Sequence, residues 1–129
     1  MTLAPTAVHT EAAPKAIGPY SQAVALGDLV FASGQIPLDP ATGELVGPTF
    51  TAQAERALLN MKAVLAAAGC PLDRVLQVRV FLTDLKQFGV LNELYARFFG
   101  EHRPARAVVQ VTALPRGAQL EIEAIAARG

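Results

Sequence analysis

Leu76-Gln77-Val78-Arg79-Val80-Phe81-Leu82-Thr83 is the stretch that decides the fold. Leu76, Val78, Val80 and Leu82 alternate with Gln77, Arg79, Phe81 and Thr83. Successive side chains of an extended chain point to opposite sides, so the pattern predicts a strand with two unlike faces. Segments of a different period flank it. Upstream, Ala54, Leu58, Met61, Leu65 and Ala68 recur at alternating steps of four and three, which traces one helix face and predicts a helix over 50–68. Thr51 is its expected N-cap, and Gly69 with Pro71 its expected end. Downstream, Asp84 with Gln87 resembles a capping box with Asp in place of Ser or Thr. Phe88, Leu91, Tyr95 and Phe98 then mark a second helix face that stops at Gly100.

Further out, the period returns to two. Strands are predicted over 21–26 and 29–36, joined at Gly27-Asp28, because glycine takes a positive φ without steric strain. Pro37 closes the second, and Asp39-Pro40-Ala41-Thr42-Gly43 is strong turn chemistry. Near the C-terminus Ala107, Val109, Val111 and Ala113 are expected on one side of a strand, with Arg106, Val108, Gln110 and Thr112 on the other. In the last strand Leu120, Ile122, Ala124 and Ala126 lie opposite Gln119, Glu121, Glu123 and Ile125. Strands, helix, strand, helix, strands reads as α+β, with both helices on one face of a single sheet. The other face is then expected to carry Arg79, Phe81, Arg106, Val108, Gln110, Glu121 and Glu123. That mixture suits either a subunit interface with polar pockets or a ladder of solvated charges.

Composition sets the outer bounds. A chain of 129 residues is expected to form one domain, 1–129, with residues 1–16 as a loose arm or edge strand. Hydrophobic residues at 52% against 17% charged are far from the profile of disordered chains. Lys plus Arg equals Asp plus Glu, 11 each, so no general field attracts nucleic acid or an anionic membrane. A mean hydropathy of +0.33 is high for a small soluble monomer and hints at surface buried against other copies. Cys70 is the one cysteine, which precludes an intrachain disulfide and gives no sign of an oxidising compartment. No positive charge precedes Lys15, which speaks against a secretory signal. No apolar run approaches the ~18–20 residues of a spanning helix. The expected location is the cytoplasm.

Chemistry has few candidates. His9 and His102 are far apart, and nothing has metal-ligand spacing, so no metal is expected. Cys70 follows a helix-ending glycine and reads as a small hydrophobe. No phosphate-binding glycine loop is present. There remain a tyrosine after the Gly18-Pro19 turn and, in the late strands, an arginine and carboxylates. Arg106 opens a strand just after Pro104-Ala105, where proline stiffens the backbone. A guanidinium held there can grip a small carboxylate through two parallel hydrogen bonds. The plainer alternative, which pattern alone favours, is a cross-strand pair between Arg106 and Glu121.

Four segments add to this. Ile17-Gly18-Pro19-Tyr20-Ser21-Gln22, Ser33-Gly34-Gln35-Ile36-Pro37, Pro104-Ala105-Arg106 and Glu121-Ile122-Glu123-Ala124-Ile125-Ala126 resemble, in this order, the motifs of the Rid (reactive intermediate deaminase) family. Asn92 also matches a commonly shared position. The resemblance runs from Ile17 to Ala126.

It implies a chorismate-mutase-like fold, one mixed sheet with two helices on one face, assembled as a homotrimer with clefts between subunits. It implies hydrolysis of 2-imino acids, such as 2-iminobutanoate and 2-iminopropanoate, to 2-oxo acids and ammonia, without metal or organic cofactor. By the same resemblance, Arg106 holds the substrate carboxylate and Glu121 activates water. Tyr20, Ser33 and Gly34 line the pocket, and Asn92 supports it from the helix. Two departures stand out: Val108 occupies a position where many relatives carry cysteine, so this chain has no thiol there for a redox role. Gly100-Glu101-His102-Arg103 is also shorter than in many members. Competing readings are a non-catalytic binder or sensor of small carboxylates, and the ribonuclease or chaperone-like activities attributed to the family; neutral charge argues against RNA.

Overall fold

The computed structural model describes residues 3–129; the first two residues of the expected arm at 1–16 lie outside it. Six strands form one sheet in the order β1-β2-β3-β6-β4-β5: β1 (Thr6–Val8), β2 (Ala23–Leu26), β3 (Leu29–Gln35), β4 (Val75–Leu82), β5 (Ala105–Gln110) and β6 (Leu120–Ala127). Helices α1 (Phe50–Ala67) and α2 (Phe88–Phe99) separate β3 from β4 and β4 from β5. The β4–β5 pair is parallel, as a strand–helix–strand crossover requires, and the other pairs are antiparallel. The expected α+β architecture is therefore what forms, with the sheet mixed. No helix is long and apolar enough to cross a membrane among the described residues.

The core lies between the sheet and the helices. Ala23 and Ala25 of β2, Val30 and Ala32 of β3, Val78, Val80 and Leu82 of β4, and Leu120, Ile122, Ala124 and Ala126 of β6 are all buried. They meet Ala54, Leu58, Met61 and Leu65 on α1, the face that the four-and-three spacing predicts. Helix α1 ends as expected. Gly69 has a φ of 82°, Cys70 N donates to Leu65 O at 2.9 Å and Gly69 N to Ala66 O at 3.0 Å, so the last carbonyls are satisfied by a Schellman turn.

Several local expectations give way. The N-cap is Thr49, not Thr51: the Thr49 hydroxyl accepts from Ala52 N at 3.1 Å. Leu76 is 48% exposed, because the β4–β6 register shifts between Val75 and Gln77 and Val75 is buried in its place. Before α2, Asp84 accepts from Lys86 N at 3.0 Å, but Gln87 makes no capping bond, so only half of the expected capping box forms. The buried face of α2 is Leu91, Leu94, Tyr95 and Phe99, rotated from the expected one. Phe88 is left 40% exposed.

The largest correction is β5, which ends at Gln110 rather than running on to 113 and shows the opposite faces. Its parallel register pairs Val78 with Arg106, Val80 with Val108 and Leu82 with Gln110. Arg106 and Val108 therefore share the helix face with those buried valines, and Val108 packs against the core. Ala107 and Val109 face the open side, where Val109 is 47% exposed. The open side also carries Val24, Leu26, Leu29 and Phe31, all exposed, and one ion pair, Arg79 Nε to Glu123 Oε1 at 2.9 Å.

Candidate active site

The structure divides the six expected site residues into two groups. Tyr20, Ser33, Gly34 and Glu121 line one cleft of about 400 Å³, with Ile17, Pro115 and Glu123. Arg106 and Asn92 line another of about 280 Å³, with Tyr95, Ala96, Arg103 and Pro104. Glu121 pairs with Phe81 on the open face of the sheet, while Arg106 lies on the helix face, and β4 runs between their strands. An Arg106–Glu121 pair across neighbouring strands is thus excluded within one protomer, and so is a single small molecule touching both.

The Glu121 cleft is built by the chain's first motifs. An extra residue in β3 between Ala32 and Gln35 shifts its register against β6, and a bulge of this kind re-aims the residues it contains. Ser33 N donates to Gln22 O at 2.9 Å and Ser33 Oγ to Ser21 O at 2.6 Å, which stitches the bulge to the segment before β2. Gln22 is 3% exposed; its side chain accepts from Thr10 N at 2.7 Å and donates to Pro14 O at 2.8 Å, holding the N-terminal segment against the sheet. The Tyr20 hydroxyl accepts from Ile17 N at 3.2 Å, and Tyr20 N donates to Gly18 O at 2.8 Å, so the ring is fixed by its own turn. At Gly34 the backbone passes directly beneath the Glu121 carboxylate. Burial pushes the Glu121 carboxyl above the usual carboxylate range, and the charge of Glu123 adds to the effect.

The Arg106 cleft rests on α2. The guanidinium lies 4.8 Å from the Tyr95 ring centroid and 5.6 Å from that of Phe88, two rings seven residues apart on one helix face. Cation–π attraction holds the guanidinium without using its hydrogen-bond donors. Among the described residues it has no carboxylate partner. Tyr95 is 6% exposed and its hydroxyl has no hydrogen-bond partner; burial pushes it up to about 12, opposed by the charges of Arg106 and Arg103. Sequence reasoning misses Phe88, Tyr95 and Arg103 as site residues, although Phe88 and Tyr95 flank Asn92 on the predicted helix and Arg103 directly precedes Pro104.

Other candidates fall away. Cys70 is buried and lies in neither cleft. The His102 ring hydrogen-bonds Val75 O at 2.7 Å. No group of His, Cys, Asp and Glu suited to a metal ion occurs among the described residues.

A two-helix, mixed-sheet chain with these motifs at its clefts defines a family. The model described as endoribonuclease L-PSP matches residues 10–128, and the chain belongs to that family, the Rid family of the motifs. Among individual relatives, protein DfrA of Myxococcus xanthus is 56% identical over 126 residues, covering 96% of each chain. The 2-iminobutanoate/2-iminopropanoate deaminase of Mus musculus is 48% identical over 122 residues, 95% of this chain and 90% of its own. The crystal structure of E. coli TdcF with bound serine is 47% identical with a TM-score of 0.91, covering 96% of this chain and 99% of that one.

Proposed function

We propose that this protein is a cofactor-independent, cytoplasmic deaminase that hydrolyses 2-imino acids of the 2-iminobutanoate and 2-iminopropanoate type to 2-oxo acids and ammonia. Its working form is a homotrimer in which Arg106 of one copy and Glu121 of the next face a single cleft. The observation that carries this reading is the separation of the two groups on opposite sheet faces. Each half-site is incomplete, and the open face that holds Glu121 also exposes Leu26, Leu29 and Phe31, an apolar surface suited to burial against another copy.

In this scheme Arg106 grips the substrate carboxylate through two N–H donors, with Asn92 beside it. The imine carbon, electrophilic once its nitrogen is protonated, is presented to a water at Glu121. The carboxylate takes a proton as the water oxygen bonds to carbon, giving a tetrahedral carbinolamine. Protonation of its nitrogen and loss of the hydroxyl proton then break the C–N bond, releasing ammonia and leaving the 2-oxo acid. A carboxyl group raised by burial is better matched to proton exchange near neutral pH than an ordinary one. The activity for which the mouse relative is named supports the reaction class. The serine in E. coli TdcF supports a ligand with a carboxylate beside a nitrogen-bearing carbon.

The test couples an amino-acid oxidase or threonine dehydratase to this protein and follows imine decay. The protein is expected to accelerate decay in proportion to its concentration; decay at the buffer rate overturns the reading. If 2-oxo acids nevertheless bind, the non-catalytic carboxylate binder takes its place.

A further inference from the structure

We infer that Arg103 makes the Arg106 cleft selective for substrates with a second carboxylate on the side chain, so that dicarboxylic 2-imino acids are the preferred class. The inference deepens the deaminase reading and rests on it for the word substrate, but the recognition it describes is a binding property that can be measured without turnover.

Three observations converge on the 280 Å³ cleft. First, the lining that one copy supplies holds two guanidiniums, Arg103 and Arg106, and no carboxylate; the acid proposed to face it, Glu121 of the next copy, is taken up by the attacking water. Glu93 and Glu101, the acidic residues adjoining this segment of the chain, are exposed and do not line it. The ion pair found among the described residues, Arg79 with Glu123, is on the other side of the sheet. One carboxylate engages one of the two guanidiniums through parallel hydrogen bonds, and a dianion engages both.

Second, both cations are held in place. Arg106 lies against Tyr95 and Phe88. Arg103 is tied through Nη1 to the carbonyls of Gly100 and His102, and Pro104 follows it directly. Those bonds engage one nitrogen of Arg103 and leave the rest of its fork for a ligand. The segment that turns at Gly100 (φ 67°) carries Arg103 to the cleft wall.

Third, a residue of the cleft wall carries a polar group with nothing to bond. The Tyr95 hydroxyl is buried and unpartnered, and a buried donor left unmade is costly.

The experiment compares ligands of equal chain length that differ in charge: 2-oxoglutarate against 2-oxopentanoate, titrated calorimetrically into the full-length protein. The wild type is expected to bind the diacid at least about tenfold more tightly. Arg103→Gln is expected to bring the ratio close to one, and Arg103→Lys, which keeps the charge, to retain most of it. Thermal melts of each variant separate loss of recognition from loss of folding. Equal affinities in the wild type, or a ratio unchanged by Arg103→Gln, overturn the inference and leave Arg103 as a loop tie to Gly100 and His102. Imine decay is then followed for products of amino-acid oxidases acting on glutamate and on norvaline. Hydrolysis of both without preference sinks the inference and spares the deaminase reading. Absence of hydrolysis with the binding ratio intact does the reverse.

Discussion

Gly34 and Glu121 compete for one volume: a Cβ on Gly34 would stand 2.8 Å from Glu121 Cδ and overlap Oε2. The missing side chain is what lets the carboxylate lie down over the β3 bulge. The φ of Gly34 is not in the left-handed region, so alanine meets no backbone strain there, only the end of the Glu121 side chain. Gly34→Ala should displace Glu121 and, because that flexible chain can swing aside, cost no more than the lower end of the ~1–3 kcal/mol usual for overpacking. In a Glu121→Ala background the same change should be nearly neutral. Denaturant unfolding of the four proteins of this cycle checks it; additive losses would show that the two positions are uncoupled.

Arg106 lies against two rings, and the proposed grip on a carboxylate from its edge needs a planar cation. Arg106→Lys should lower kcat/KM for imine hydrolysis about a hundredfold or more, since an ammonium offers no parallel donors and stacks poorly. Phe88→Leu, which removes the outer ring and leaves the donors, should act mainly on KM. Steady-state kinetics with imine generated in situ separates the two; equal losses in kcat and KM from Phe88→Leu would argue against an orienting ring.

The proposed division of the site between copies predicts complementation. Arg106→Lys and Glu121→Gln proteins, each close to inactive, should regain activity when unfolded together and refolded as mixed assemblies. With random mixing about a quarter of the clefts combine an intact arginine with an intact carboxylate, as geometry dictates for a heterologous interface. No recovery from a mixture confirmed as hybrid by mass spectrometry would refute a cleft shared between copies.

The raised Glu121 carboxyl has a consequence for stability against pH. Its folded-state proton affinity exceeds that of the unfolded chain, so the unfolded state ionises first as pH rises. The group therefore weakens the fold progressively from the ordinary carboxylate range up to its own higher pKa, and by a constant amount beyond. Glu121→Gln should raise the melting temperature near neutral pH, with the gain shrinking toward about pH 4, where both states are largely protonated. An equal gain at both pH values would assign the effect to packing instead.

Where one side chain per position suffices, the fold is legible. Helix α1 and strand β6 show clean periods, and their buried residues obey them. Strand β5 does not, because Val108 and Val109 are both apolar and point in opposite directions. Only its parallel partner β4, brought alongside by a whole helix, settles which one is covered. The placement of β6 between β3 and β4 is likewise a long-range fact that no local pattern contains. Leu76 and Phe88 fit the apolar period of their elements and are nonetheless exposed. A strand bulge and a short 3₁₀ turn each rotate the neighbouring residues, and neither leaves a mark in hydropathy. The six candidate site residues are legible through their motifs. Their division between two faces is not, because it depends on which side of β5 is covered. Tyr95 is masked by being a core residue that also lines a cleft.

The Schellman turn that closes α1 also decides how the protein can be handled. Cys70 is 2% exposed with its thiol pushed up by burial, so the native sulfur is a poor target for maleimides and methanethiosulfonates. A cysteine introduced at Lys62, exposed on α1 away from the open face of the sheet, would be an accessible attachment point. Spin or fluorescent reporters placed there would measure the distance between neighbouring copies directly in solution.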